Sequence, residues 1–156
     1  MKIPIRIVSD MLEVDAYAIC NKYNKRGPVT FIIDTGSPIS SLGEKDVMAL
    51  GLDVKDFPHY TGTPIGGIGG KAVTYVIEEV TLVLGIATGS ETFCPNETLY
   101  YHKGREYRKT VRKEGKVYER ESLFRTPSIL GTNMMKKYGM VLHLDFKAKE
   151  CYLGYD

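Results

Sequence analysis

The stretch Phe31-Ile32-Ile33-Asp34-Thr35-Gly36-Ser37 decides how this chain is read. Three large apolar residues in a row, following Val29-Thr30, have the β-branched and aromatic character of a buried strand. A carboxylate directly after them is costly to bury without partners. The strand is therefore expected to end in a turn that lifts Asp34 out of the sheet into a cleft. Gly36 lets the backbone turn tightly and approach a ligand or a second chain, and the Thr35 hydroxyl is placed to brace that turn. Taken alone, the Asp-Thr-Gly triplet reads better as an ordinary turn aspartate, so the rest of the chain has to decide.

On the N-terminal side, residues 3–8 are β-branched and residues 12–20 alternate apolar with polar, so both predict strands. The polar cluster at 21–28, ending in Gly27-Pro28, predicts the turn of a hairpin leading into 29–33. On the C-terminal side, residues 41–50 predict a short helix begun by Ser41 or Gly43, with Glu44 and Asp46 in its first turn and Gly51 after its end. Residues 61–70 are glycine-rich and 72–84 are strand-like, which predicts a glycine-tipped hairpin followed by a core strand closed by Gly85. Residues 92–127 are the least regular, with Glu114-Gly115 as the expected turn of an exposed charged hairpin. Ser128-Ile129-Leu130-Gly131 is an apolar run ending in glycine. It leads into a predicted helix at 132–138, capped by Thr132 or Asn133 and stopped by Gly139. Residues 140–146 and 150–155 predict a closing hairpin around Lys147-Ala148-Lys149. Apolar strand, glycine, short helix occurs twice, at 31–50 and at 129–138. The expected fold is mainly β with one or two short helices, in one domain over 1–156 with a basic insertion at about 92–127.

The 156 residues, 43% of them hydrophobic, suffice for one domain with a core. A formal net charge of +2 does not mark the whole chain as nucleic-acid binding. Three cysteines, Cys20, Cys94 and Cys151, give no disulfide framework and suggest small, partly buried side chains in a reducing compartment. Arg6 and Asp10 interrupt any signal-peptide core, and no stretch approaches 18 apolar residues, so the expected location is cytoplasmic and off the membrane. His59, His102 and His143 have no metal-ligand spacing with the cysteines, so no metal and no cofactor are expected. The glycine-rich segment fails a nucleotide loop twice, at Ile65 and Ala72. Gly67-x-Gly69-x-x-Ala72 half-matches a dinucleotide fingerprint, but a strand-like stretch follows it where a helix is required. No Gly-x-Ser-x-Gly elbow exists, and Asp145 reads as a strand-end or turn residue.

Three motifs in order are more specific than any one. Ile32-Ile33-Asp34-Thr35-Gly36-Ser37, then Gly66-Gly67-Ile68-Gly69-Gly70, then Ile129-Leu130-Gly131-Thr132-Asn133 resemble the active-site loop, flap and second apolar-Gly turn of single-domain retropepsin-like aspartic proteases. The closing hairpin also resembles the C-terminal segment of that family, and the likeness covers most of the chain outside about 92–127. It implies a closed-barrel-like acid protease fold with one lobe per chain. It implies that Asp34 is the catalytic carboxylate, that Thr35 hydrogen-bonds to its counterpart across a dimer axis, and that Gly36 lets the substrate backbone pass close. Ser37 would hydrogen-bond to the Asp34 carboxylate and favour its charged form; many viral relatives carry alanine there, so a more acidic working range is implied. Gly67, Ile68 and Gly69 would form the flap tip over a peptide, and Ile129, Leu130 and Gly131 would support the active-site loop from beneath. The mechanism needs two carboxylates and the chain has one Asp-Thr-Gly, so a C2 homodimer and a protein or peptide substrate are implied.

Residues 100–121 hold eight Lys or Arg and four Glu, interleaved with Tyr100, Tyr101, Tyr107 and Tyr118. A solvated hairpin is the plainest account; docking an acidic substrate, binding nucleic acid or covering the cleft are the alternatives. The competing overall function is a non-catalytic dimeric module that grips a peptide or binds nucleic acid.

Overall fold

A computed structural model describes the chain except for residues 64, 65, 68, 69, 72, 90, 104, 105, 124, 125 and 156; for 66, 67, 70, 71, 106–111 and 118–123 it describes the backbone alone. The strands are β1 (Lys2–Pro4), β2 (Arg6–Val8), β3 (Met11–Cys20), β4 (Lys25–Ile33), β5 (Ser41–Leu42), β6 (Gly66–Gly67), β7 (Gly70–Lys71), β8 (Thr74–Leu84), β9 (Thr92–His102), β10 (Glu106–Lys113), β11 (Lys116–Leu123), β12 (Ile129–Leu130), β13 (Val141–Asp145) and β14 (Glu150–Gly154). Two short helices, α1 (Glu44–Ala49) and α2 (Thr132–Lys137), each follow a two-residue strand.

Six strands close a barrel in the order β3-β4-β12-β5-β9-β8, because β8 pairs back onto β3 from Ala16↔Leu84 to Cys20↔Val80. The alternation of β3 turns Val14, Ala16, Ala18 and Cys20 inward, and that of β4 turns Val29, Phe31 and Ile33 inward. Phe31 is fully buried, and burial of a side chain of that size contributes about 2–3 kcal/mol. Along β8 the inward positions change from Ile77 to Val80, Leu82 and Leu84, which is a change of phase. A bulge at Glu79, with φ 56°, supplies the extra residue. Its neighbour β9 changes phase too, from Cys94 to Glu97 and Leu99, across Asn96 at φ 53°.

The barrel corrects several expectations. Thr92–His102 is a long, bulged wall strand, so the segment without regular structure does not begin at residue 92. The strand is hard to read because its bulge breaks the alternation. Tyr101 is buried against Phe57 and Tyr100 packs on Tyr60, so neither belongs to the basic hairpin. Gly27-Pro28 lies inside β4 instead of in a turn; the turn is the 3-10 segment Asn21–Tyr23 with Asn24 at φ 52°. Proline is tolerated there because β12 covers only Ile32 and Ile33 on that side of β4. Ser41 is in a strand, and Gly43 precedes α1. Gly131, rather than Thr132 or Asn133, caps α2. Gly139 follows α2 at φ 60°, as its sequence position predicts.

Beyond the barrel, β1, β14 and β13 form a three-stranded antiparallel sheet in that order, and β2 continues the barrel sheet at β3. β10 and β11 pair only with each other among the described strands, over eight residue pairs. Their turn is Glu114-Gly115, with φ 52° and 73°, a hairpin geometry that suits the twist of the strands. No helix among the described residues is long and apolar enough to cross a membrane.

Candidate active site

The site is built where β4 and β12 run side by side. Ile32 pairs in parallel with Ile129, and Ile33 with Leu130. The Ile32 N–H donates to the Ser128 carbonyl at 2.9 Å and the Asp34 N–H to the Leu130 carbonyl at 3.1 Å. Leu130 is fully buried. The ladder ends there and Asp34 emerges exposed, together with Thr35 and Gly36. The Ser37 N–H donates to the Asp34 carbonyl at 3.1 Å, which closes the turn. The Gly36 N–H donates to Asp34 Oδ1 at 2.8 Å, fixing the carboxylate while leaving most of it open.

Ser37 departs from expectation. Its hydroxyl donates to the Ile39 carbonyl at 2.7 Å, not to Asp34.

A second turn locks this loop from behind. Gly131 lies so close to the Ser37–Ile39 backbone that any Cβ would collide with the Ile39 carbonyl. The Gly131 N–H donates to Ser40 Oγ at 2.9 Å, and that hydroxyl donates to Asn133 Oδ1 at 2.8 Å. Thr132 adds its N–H and its hydroxyl to the Ser37 carbonyl, at 2.8 and 3.1 Å. Just before β12, buried Ser128 accepts from the Gly43 N–H at 2.8 Å and donates to Asp46 Oδ2 at 2.5 Å, tying in α1. Ser40 and Ser128 were missed in the sequence. Their only signal is a serine bordering an apolar run, which is too common to single them out.

The glycine-rich segment forms a narrow antiparallel pair, Gly66↔Lys71 and Gly67↔Gly70. Gly67 thus lies in a hairpin arm; Ile68 and Gly69 lie outside the described residues. The base of this segment is anchored: the Tyr60 N–H donates to the Thr74 carbonyl at 2.9 Å, and the Val76 N–H to the Pro58 carbonyl at 2.8 Å. Thr74 Oγ1 lies 3.0 Å from His102 Nδ1 at the end of β9. Burial holds the His102 imidazole below its ordinary pKa.

Behind the site, α2 is bound to β9 through Glu97. This carboxylate is 6% exposed and accepts from Lys137 Nζ at 2.6 Å and from the Tyr138 hydroxyl. Burial, then the Glu97 hydrogen bond, raises the Tyr138 pKa. The cysteines are free. Burial pushes the thiols of Cys20 and Cys94 up to about 11 and about 12, which suits small core residues better than nucleophiles. Asp145 accepts from the Ala148 N–H at 2.8 Å and serves the closing turn. Among the described residues no His, Cys, Asp and Glu cluster is arranged to hold a metal.

Comparison with known proteins supports the same architecture. No protein-family model matches the chain and no curated protein matches it in sequence. Among solved structures it is similar to a retropepsin-like aspartic protease from Rickettsia conorii, with TM-score 0.57 and 18% identity over 99% of this chain and 91% of that one. It is also similar to EIAV protease complexed with the inhibitor HBY-793, with TM-score 0.39 and 20% identity over 91% and 93%. A mainly β chain with two short helices and a closed six-stranded barrel, matched over nearly its whole length, has the retropepsin-like fold.

Proposed function

We propose that this chain is an aspartic endopeptidase that works as a C2 homodimer, with Asp34 of each copy supplying half of one active site. The observation that carries this reading is the exposed Asp34 carboxylate, oriented by the Gly36 N–H at the end of a braced parallel strand pair. The turn paired with that loop, Gly131-Thr132-Asn133, has no carboxylate, so one chain supplies half of a dyad. Two such carboxylates about 3 Å apart cannot both ionise and share one proton. The ionised member takes a proton from water as that water attacks the scissile carbonyl carbon. The protonated member hydrogen-bonds to the carbonyl oxygen as charge develops there. The proton then passes to the leaving amine as the C–N bond breaks, and no cofactor is needed.

In this reading Thr35 bridges the two loops, Gly36 passes the substrate backbone, and the glycine-rich segment with Gly67, Ile68 and Gly69 closes over the peptide and excludes water. Ile129, Leu130 and Gly131 hold the loop rigid. The domain is the whole of 1–156, with the insertion reduced to the hairpin beyond β9. The test is digestion of a peptide library between about pH 3 and 8 by wild type and by Asp34→Asn. Cleavage with a bell-shaped pH profile that disappears in the mutant supports the dyad. Equal cleavage by both sinks the role of Asp34, and cleavage by neither, from a demonstrated dimer, favours a non-catalytic peptide-binding module.

A further inference from the structure

The register of the β10–β11 hairpin sorts its charges by face. Residues directly opposite share a face, and alternate residues along a strand return to it. One face takes the positions Glu106, Arg108, Thr110 and Arg112, opposite Leu123, Glu121, Glu119 and Val117. That face carries both signs, and Arg108 is paired directly with Glu121. The other takes Tyr107, Lys109, Val111 and Lys113, opposite Ser122, Arg120, Tyr118 and Lys116. It carries four cations and no carboxylate.

The second face also sets like charges against each other: Lys109 is opposite Arg120, and Lys113 is opposite Lys116. Like charges directly across a ladder oppose pairing. All three strand glutamates lie on the other face, where they relieve none of this. The sequence composition does not force that arrangement, because exchanging Glu119 with Arg120 alone would set an acid opposite Lys109. An anionic partner on that face would relieve the repulsion.

Where the hairpin is rooted narrows the kind of anion. It leaves β9 just after His102, which contacts Thr74 at the base of the glycine-rich segment, and the Lys103 backbone N–H donates to the Val73 carbonyl at 3.0 Å. It returns at Ser128, whose carbonyl accepts from Ile32, two residues before Asp34. One root thus adjoins the base of the glycine-rich segment and the other the strand that ends at Asp34. β10 and β11 each keep one backbone edge unpaired among the described strands, which suits an extended polypeptide. We propose that the face bearing Lys109, Lys113, Lys116 and Arg120 docks an acidic segment of a polypeptide substrate whose scissile bond lies in the cleft. This rests on the peptidase reading and names the substrate class for it: proteins with an Asp/Glu-rich stretch beside the cleaved bond.

The test compares two double variants with the same change of charge in the same strand, Lys109→Gln/Lys113→Gln and Arg108→Gln/Arg112→Gln. Two peptides share one cleavable core, with an acidic or a neutral tail. The first variant is expected to raise KM for the acidic-tailed peptide about three- to tenfold at low salt, as for two exposed ion pairs. It should leave the neutral-tailed peptide unchanged, and the second variant should leave both unchanged. Equal effects of the two variants, or no effect of either, overturn the proposal. In parallel, Asp34→Asn protein, with and without each pair of changes, is titrated with the labelled acidic peptide and with a single-stranded oligonucleotide by fluorescence anisotropy. Acidic-peptide binding lost only with the Lys109/Lys113 changes upholds the docking face even if wild type cleaves nothing, in which case the peptidase reading alone falls. Tighter binding of the oligonucleotide than of the peptide overturns the proposal in favour of a nucleic-acid surface.

Discussion

The Ser37 hydroxyl donates to the Ile39 carbonyl and turns the chain back behind Asp34. Had it bonded to the carboxylate, it would favour the ionised form and, in the proposed peptidase, lower the acid limb of the pH–rate profile. Removing it would then move that limb upward. With the hydroxyl engaged by Ile39, Ser37→Ala is expected to leave the acid limb where it is and to cost about 1 kcal/mol of stability, one hydrogen bond's worth. A pH profile and a urea melt of the same variant check both halves. Asp34 was legible because a charge after three apolar residues has few physical outcomes. The partner of Ser37 was not legible, because two acceptors compete and their distances depend on where the chain returns after Pro38. Gly131 makes the complementary case. Gly131→Ala drives a Cβ into backbone that cannot move away, and the expected loss is about 3 kcal/mol or more. Gly139→Ala, at φ 60° with nothing within 4 Å, should cost only about 1 kcal/mol by denaturant titration. A smaller loss at 131 than at 139 would mean that the two loops are not laced as described.

At the scale of elements, the strands that alternate cleanly, β3 and β4, were readable from residue type, and the bulged ones were only half readable. Glu79 and Asn96 shift the phase of β8 and β9 in mid-strand, so no single period fits either. The charged hairpin was legible from Glu114-Gly115, since a two-residue turn with positive φ at both positions favours glycine. Because β10 and β11 pair with no other described strand, replacing residues 104–125 by a flexible Gly/Ser linker should leave the thermal midpoint within a few degrees of wild type. A collapse in cooperativity would show that the hairpin supports the barrel. At its root, His102 links β9 to Thr74. Burial lowers its folded pKa below the unfolded 6.5, so between those values the unfolded chain binds more protons. This contribution to stability is complete above about pH 6.5 and is lost as pH falls through the window. His102→Gln should therefore flatten the fall in stability below pH 6.5, measured by urea melts across pH.

For the whole molecule, a barrel of one lobe with one exposed Asp34 has a consequence that needs no knowledge of substrate. If catalysis requires two Asp34 carboxylates, an Asp34→Asn copy does more than dilute the enzyme. It captures a wild-type copy in a dimer with one carboxylate. After equilibration of equal amounts of the two chains, random pairing leaves about one quarter of the dimers fully wild type. Activity should then fall to about one quarter of that of the same total concentration of wild type, whereas a chain that works alone would retain half. Dilution separates the cases again: a dissociating dimer loses specific activity as its concentration drops through Kd, and a monomer does not. A one-half residue with concentration-independent specific activity would refute the shared dyad. It would require a single exposed carboxylate, braced as the Ile33-Asp34-Thr35-Gly36 loop braces it, to activate water with no second carboxyl to polarise the carbonyl.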